Sequence, residues 1–175
     1  MVRRWAQDFA RKVRDRREKL DLYLEGSIGL PKDQGDRERF EKEIVAAREA
    51  GASIVRTVCL SGRRYENFQT LQAFETFRAS AIASIHLAEP VVRKHKVRLA
   101  LENHKDWRAL ELVGILSNLD SEWVGVNLDF GNNVALMEDP MDVARITQPW
   151  LMTTHVKDMG VEEYADGFLL SEVPL

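Results

Sequence analysis

Short apolar runs and amphipathic stretches alternate along most of this chain. Apolar residues at helical spacing predict helices, as with Phe40, Ile44 and Ala47, and β-branched runs such as SIVRTVCL predict buried strands. The predicted helices cover residues 3–19, about 36–50, 70–95, about 107–119 and 141–147, and the predicted strands cover 21–25, 53–60, 97–102, 124–129 and 151–157, with 167–173 beginning one further strand. Asp36 and Thr70 are placed to cap helices, Gly51 to end one, and Pro90 to kink or split the long helix.

The regular alternation of helix and strand predicts an α/β fold with parallel strands joined by right-handed crossovers. Two architectures satisfy it, an open doubly wound sheet and a (β/α)8 barrel. The chain contains neither G-x-G-x-x-G nor G-x-x-x-x-G-K-[ST], so nothing supports a nucleotide-phosphate site. It also lacks a G-x-S-x-G nucleophile elbow.

Composition narrows the class of protein. A length of 175 residues, 45% hydrophobic and 30% charged, is typical of one soluble globular domain. The formal net charge of −3 gives no general attraction to nucleic acid or to an anionic membrane. Residues 1–19 are basic, but interleaved acids favour a solvated helix face over a phosphate-binding arm. A single cysteine, Cys59, and the absence of a signal-peptide pattern predict a cytoplasmic protein.

Polar side chains gather where the predicted strands end. The strand ends carry, in order, Glu25, Arg56 and Cys59, Glu102-Asn103-His104, Asp129, and His155-Val156-Lys157-Asp158. Both α/β architectures place their chemistry at this edge of the sheet. Glu102, Asp129 and His155 are spaced 27 and 26 residues apart, about one βα unit each. Since neighbouring strands lie about 4.8 Å apart, we expect these three side chains to converge.

Two carboxylates and one imidazole suit Mn²⁺, Mg²⁺, Co²⁺ or Zn²⁺, and the absence of thiolates argues against a closed structural zinc site. Each residue alone has an ordinary alternative. Asp129 could shape a turn with Gly131, and His155 could be a satisfied core histidine. The joint pattern at matched strand ends favours a divalent-metal site.

Three motifs, LALENH at 99–104, GVNLDFGN at 125–132 and THVKD at 154–158, resemble those of the xylose-isomerase-like TIM barrels. That superfamily contains sugar and sugar-phosphate isomerases and epimerases. The resemblance selects the barrel over the open sheet and implies that Glu102, Asp129 and His155 bind the metal, with Glu102 also the catalytic base. It implies a proton abstraction next to a carbonyl, through an enediolate. His104 and Lys157 are then candidates for substrate contacts, with Asn103 and Asn132 orienting the ligands and substrate.

The chain also departs from the family pattern. The barrel has eight strands, whereas five to six are predicted here, so we expect residues 1–175 to form one incomplete TIM-barrel domain lacking the first and last strands. The family's fourth ligand, a second glutamate, is not matched, because Glu172 stands at a different position. Its absence leaves open whether the chain is an enzyme.

Three functions remain at this stage. The first is a metal-dependent isomerase or epimerase acting on a sugar or polyol. The second is a catalytically incomplete barrel that binds metal or assembles with a partner, possible homo-oligomers forming through open sheet edges. The third, an apurinic-endonuclease-like phosphodiesterase, is disfavoured because that branch uses many histidines and this acidic chain has four.

Overall fold

The computed structural model describes residues 7–175. The predicted first helix, residues 3–19, is therefore described from residue 7 onward, and its first four residues lie outside the described part of the chain. The helices are α1 (Gln7–Lys19), α2 (Arg37–Glu49), α3 (Arg64–Asn67), α4 (Leu71–His95), α5 (Ala109–Leu119) and α6 (Pro140–Thr147), and the strands are β1 (Gly26–Ser27), β2 (Ile54–Thr57), β3 (Arg98–Glu102), β4 (Val124–Asp129), β5 (Leu151–His155), β6 (Asp158–Tyr164) and β7 (Gly167–Val173).

Strands β1 to β5 form one parallel sheet in the order β1-β2-β3-β4-β5. Sequential order with helices between the strands is the arrangement of a β/α barrel wall. The sheet is open within the described residues, with β1 and β5 at its edges. The Thr153 hydroxyl on β5 donates to the carboxylate of Glu25, next to β1. Since β1 and β5 are the two edge strands, this contact shows that the sheet is curved. The predicted α/β, TIM-barrel-type, incomplete fold is confirmed.

Alternation within the strands separates the two faces of the sheet. On β3, Leu99 and Leu101 are fully buried in the core that the helices cover. Phe40 and Ile44 of α2 join that core, as the helical spacing predicted. Burying each such side chain stabilises the fold by roughly 1.5–3 kcal/mol. The alternate strand residues therefore face the concave side, where the polar groups lie.

Several predicted elements are wrong in detail. Residues 21–25 do not form a strand; the first strand is Gly26–Ser27. Pro90 does not split α4, which runs unbroken from Leu71 to His95. Asp36 makes no side-chain cap for α2, because its carboxylate pairs with Arg39 and the Lys32 amide instead. Thr70 does cap α4 through the amide of Ala73.

The last predicted strand is also corrected. Residues 167–173 form a strand, but it pairs antiparallel with β6 as a separate hairpin rather than joining the parallel sheet as a sixth strand. The hairpin turns at Ala165 and Asp166, between the paired residues Tyr164 and Gly167, and Gly167 has a φ of +152°. Glycine is favoured at the last position of a four-residue turn, where Gly167 stands, and the parallel pattern obscured this signal. None of the helices among residues 7–175 is long and apolar enough to cross a membrane.

Candidate metal centre

The carboxyl ends of β3, β4 and β5 bring Glu102, Asp129 and His155 together. One ligand atom from each residue lies within 4.8 Å of the other two. Register explains the convergence, since Asp129 is the direct partner of His155 and Glu102 pairs with Asn127, two residues before Asp129. The two carboxylates are buried, and the imidazole side chain is 41% exposed. The cluster is thus accessible from the side of His155.

Glu102 is held on both oxygens. Its Oε1 accepts a hydrogen bond from Asn132 Nδ2 at 3.1 Å. Its Oε2 is in contact with Arg56 Nε and lies 3.6 Å from His155 Nδ1. With 3% exposure, the carboxylate needs these partners, because an unpaired buried charge is strongly unfavourable.

Asp129 is positioned mainly by the side chain of Asn103, which bonds the backbone of Asp129. Asn103 accepts from the amide of Asp129 at 2.7 Å and donates to its carbonyl at 2.9 Å. The Asp129 carboxylate accepts from the Gly131 amide at 3.0 Å. A Cβ at Gly131 would lie 2.9 Å from Lys157 Cγ and 2.8 Å from Met159 Cγ, so a larger residue there would displace the side chains at the start of the hairpin.

His155 faces a second asparagine that the sequence reasoning did not single out. The Nδ2 of Asn127 lies 3.3 Å from each ring nitrogen of His155. Asn127 is completely buried on the concave face of β4. Its signal in the sequence was a polar residue inside the apolar run VGVNLD, two positions before Asp129.

Two cations flank the acidic pair. Arg56 contacts Glu102, and Lys157 Nζ lies 3.2 Å from Asp129 Oδ2 and 2.8 Å from Glu172 Oε1. Burial alone would lower the pKa of Lys157, but the bond to Glu172 and the Asp129 charge outweigh it and raise the pKa above its ordinary value. Lys157 therefore stays charged and pairs with Asp129 and Glu172, not with its sequence neighbour Asp158.

His104 lies at the entrance of the β3–α5 loop. Its Nδ1 is 3.0 Å from the Leu60 carbonyl, which can only accept, so Nδ1 carries the proton. Its amide donates to Asp106 Oδ1 at 3.1 Å. Asp106 is fully buried and also accepts from the amides of Leu60 and Trp107, which ties the ends of β2 and β3 together.

Burial raises the pKa of Asp106 to about 7, against the opposing effect of the backbone amides. The folded protein therefore binds more protons than the unfolded chain between about pH 4 and pH 7, so the free energy of unfolding falls as pH rises through this window. In Asp106→Asn, which cannot ionise, we expect a flatter pH dependence, measured by urea unfolding from pH 4.5 to 8. Asp166→Asn in the exposed hairpin turn is the matched control. An unchanged slope in Asp106→Asn would contradict the assignment.

Most of the predicted site residues lie at one place in the structure. Glu102, Asp129, His155 and Lys157 reach one cluster at the concave end of the sheet, and Asn132 touches it through Glu102. Asn103 and Asn132 are completely buried: Asn103 holds Asp129 and Asn133, and Asn132 donates to Glu102 through Nδ2. Arg56, noted at a strand end but not chosen as a site residue, touches Glu102 directly.

The donor set fits a divalent cation. Two carboxylates and an imidazole are ligands that Mn²⁺, Mg²⁺, Co²⁺ and Zn²⁺ accept. Next to these ligands, Oδ1 of Asn127 and Oδ1 of Asn132 are buried without a hydrogen-bond partner among the described residues. Because buried acceptors of this kind are normally paired, they suit a hydrated cation held by these ligands.

Comparison with known proteins gives concordant matches. Residues 5–168 match the xylose isomerase-like TIM barrels. The chain is 25% identical over 150 residues to 3-oxo-isoapionate decarboxylase of Pectobacterium atrosepticum, covering 85% of this chain and 49% of that protein. The chain thus spans about half the length of this curated relative.

Solved structures share the fold at low sequence identity. The structure of 3-keto-D-glucoside 4-epimerase, YcjR, from E. coli superposes with a TM-score of 0.71 at 14% identity, over 86% of this chain and 65% of that chain. A D-psicose 3-epimerase determined in the presence of D-fructose gives a TM-score of 0.70 at 15% identity, over 87% and 58% respectively. Sugar epimerases are thus among the proteins that share this fold.

Proposed function

The chain belongs to the xylose isomerase-like TIM barrel family, and from this membership and the geometry of its polar cluster we propose that it acts on a sugar or polyol by divalent-metal-dependent proton transfer next to a carbonyl. The observation that carries the proposal is the convergence of Glu102, Asp129 and His155 within 4.8 Å. These three residues would hold the metal. When bound, the cation supplies Lewis-acid polarisation of the substrate carbonyl.

Glu102 is the proposed base. Asn132 and Arg56 fix its two oxygens, which orients the carboxylate toward the concave face. It accepts the proton from the carbon next to the carbonyl, and the electron pair of the broken C–H bond forms the enediolate. A positioned base of this kind contributes roughly 10²–10⁴-fold to the rate. Arg56 and Lys157 are the protein cations closest to the ligand carboxylates and would stabilise negative charge on the substrate.

Exchange of substrate hydrogen with solvent tests the proposal, because it needs one base only. We expect the purified chain with Mn²⁺ to exchange the hydrogen next to the carbonyl of a ketose in D₂O, measured by proton NMR, and Glu102→Gln to abolish the exchange. Epimer formation requires a second acid on the opposite face. Exchange without epimer would therefore indicate a catalytically incomplete barrel, and Mn²⁺ binding without exchange a binding protein. If the chain neither bound Mn²⁺ nor exchanged the hydrogen, the proposal would be refuted.

A second candidate reaction comes from the relative that is named a decarboxylase of a 3-oxo acid. Loss of CO₂ from a 3-oxo acid leaves the bonding pair on the same carbon and gives an enolate, so the same cluster could stabilise it. The cation Arg56 beside Glu102 favours this reading, since it could bind a substrate carboxylate. Release of CO₂ from 3-oxo sugar acids, measured with a coupled assay, separates it from simple proton exchange.

A further inference from the structure

Helix α4 leaves one large apolar side chain exposed, and two more are exposed on neighbouring segments. Among the 25 residues of α4, Leu71 is the only large hydrophobic residue that is exposed, at 73%, and it is the first residue of the helix. Tyr65 of α3 is 51% exposed, and Met137, which follows the 3-10 turn Asn132–Leu136, is 77% exposed. We call the three side chains Tyr65, Leu71 and Met137 the rim patch.

The rim patch adjoins a groove of about 300 Å³. The lining of the groove is mostly apolar and aromatic and includes Tyr65, Leu71, Phe68, Phe74 and Leu136. The rings of Phe68 and Phe74 meet edge to face, with centroids 5.6 Å apart. Because Leu136 directly precedes Met137, Met137 stands next to the groove. Exposed apolar side chains that gather around one groove mark an interaction surface, whereas scattered single ones do not.

The charged side chains next to the groove are already paired. The Arg64 guanidinium lies 3.4 Å from the centroid of the Phe74 ring and donates to Glu111 at 2.8 Å. Arg63 donates to Glu66 at 2.9 Å. A charged partner therefore finds no free opposite charge in these two pairs. An uncharged, apolar surface is the partner chemistry that fits the groove.

Met137 has an unusual backbone conformation for a large side chain. Its φ is +59°, in the left-handed region where glycine or asparagine usually ends a helical turn. The amide of Met137 donates to the carbonyl of Val134 at 3.1 Å, which satisfies the backbone at this point. A bulky apolar residue in this conformation costs free energy, and at 77% exposure its side chain recovers little of it within one copy of the chain.

The exposed methionine and the aromatic groove are complementary to each other. A methionine side chain is unbranched and fills irregular gaps, and its sulfur makes favourable contacts with aromatic rings. One surface of this chain carries both Met137 and the groove lined by Phe68 and Phe74. A two-fold interface brings a surface patch against itself, so the patch must be self-complementary and must not repel its copy. The rim patch, with its neighbouring charges paired, meets both conditions.

We propose that the rim patch is the interface of a homodimer, in which Met137 of each copy enters the groove of the other. The two copies meet about a two-fold axis, so every contact occurs twice. This interface uses neither of the open sheet edges that the sequence analysis considered for assembly. It is also independent of the proposed metal site.

The rim patch lies away from the edges of the sheet. Helix α4 connects β2 to β3 and packs against α2, whereas the edge strands are β1 and β5. In a barrel as long as the relatives, further strands would pair with β1 and β5. The groove between α3 and the start of α4 would still lie outside such added strands.

Sedimentation velocity over a range of chain concentrations tests the inference. We expect the unmutated chain to be a dimer at micromolar concentrations. Leu71→Glu and Met137→Glu should each raise the dissociation constant of the dimer at least about a hundredfold, because each buries an unpaired charge twice. Both changes suit the folded monomer. Met137 is 77% exposed, and Leu71 is the first residue of α4, where the helix dipole favours an acid.

Two controls separate the rim patch from the hairpin. Leu169→Glu makes the same change at a leucine of β7 that is 54% exposed, and it should leave the dissociation constant unchanged. Hydroxyl-radical labelling compares Tyr65 with Tyr164 of the hairpin, which are 51% and 56% exposed in one copy. Tyr65 should be labelled less in the unmutated dimer than in Leu71→Glu, and Tyr164 should be labelled equally in both.

Three results would overturn the inference. The first is an unmutated chain that stays monomeric at every concentration. The second is a dimer that survives both Leu71→Glu and Met137→Glu, and the third is a dimer that Leu169→Glu dissociates in their place. Mn²⁺ binding is measured separately. Its absence would refute the proposed function and leave the dimer standing, and a metal-binding monomer would do the reverse.

Discussion

Replacing Asp129 with asparagine is expected to weaken Mn²⁺ binding by at least about a hundredfold. Loss of an outer partner of a metal ligand typically costs 10–100-fold, and here a charged ligand itself is removed. The change is nearly isosteric, and the asparagine oxygen can still accept from the Gly131 amide, now 3.0 Å from Asp129 Oδ1. The two hydrogen bonds from the Asn103 side chain involve only the backbone of residue 129, so the substitution keeps them as well. A loss of affinity would therefore report the carboxylate charge rather than a displaced strand.

Thermal and chemical unfolding with and without Mn²⁺ measures this effect directly. A ligand at a hundred times its dissociation constant stabilises the folded state by about 2.7 kcal/mol, and a hundredfold weaker ligand at that concentration by only about 0.4 kcal/mol. Asp142→Asn on α6, whose carboxylate pairs with Arg145 at the surface, serves as the matched control. If Asp129→Asn kept the full Mn²⁺-dependent stabilisation, Asp129 would not be a ligand.

Sequence reasoning located the cluster because its geometry follows from a repeat. Parallel strands that alternate with helices end on one edge, so residues one βα unit apart must meet there. Glu102, Asp129 and His155 satisfied that spacing, and the structure brings their ligand atoms within 4.8 Å. Their proposed roles as ligands rest on this donor set and on the family resemblance, and the Mn²⁺-dependent stabilisation of Asp129→Asn tests them.

Side-chain contacts between residues at different heights in the sheet could not be predicted from the spacing of residues along the sequence. Arg56 reaches Glu102 because its side chain crosses from one layer of the concave face to the next, which depends on the small neighbours Ser27 and Ala100. The pairing of Lys157 with Glu172 requires the hairpin, and the hairpin was mistaken for the start of a parallel strand. A local turn signal at residues 164–167 competed there with the long-range βα pattern, and the local signal determined the structure.

Trp107 is expected to carry the largest single contribution to stability at this end of the sheet. It is completely buried, and its ring stacks on Phe77 with centroids 5.6 Å apart. Its backbone also anchors the site, because its carbonyl accepts from Asn133 and its amide donates to Asp106. Truncation of a buried tryptophan leaves a cavity, so we expect Trp107→Ala to lower the free energy of unfolding by about 3–5 kcal/mol.

Urea unfolding at a fixed Mn²⁺ concentration measures this loss, with Leu110→Ala as the control. Leu110 lies in the first turn of α5, three residues after Trp107, but is 70% exposed, so its truncation should change the free energy of unfolding by no more than about 0.5 kcal/mol. Trp107→Phe, which keeps an aromatic ring against Phe77, should fall between the two and gives a measurable value if Trp107→Ala does not fold. A cost below about 1 kcal/mol for Trp107→Ala would show that the ring is not packed as the structure places it, since no fully buried tryptophan can be removed so cheaply from a close-packed core.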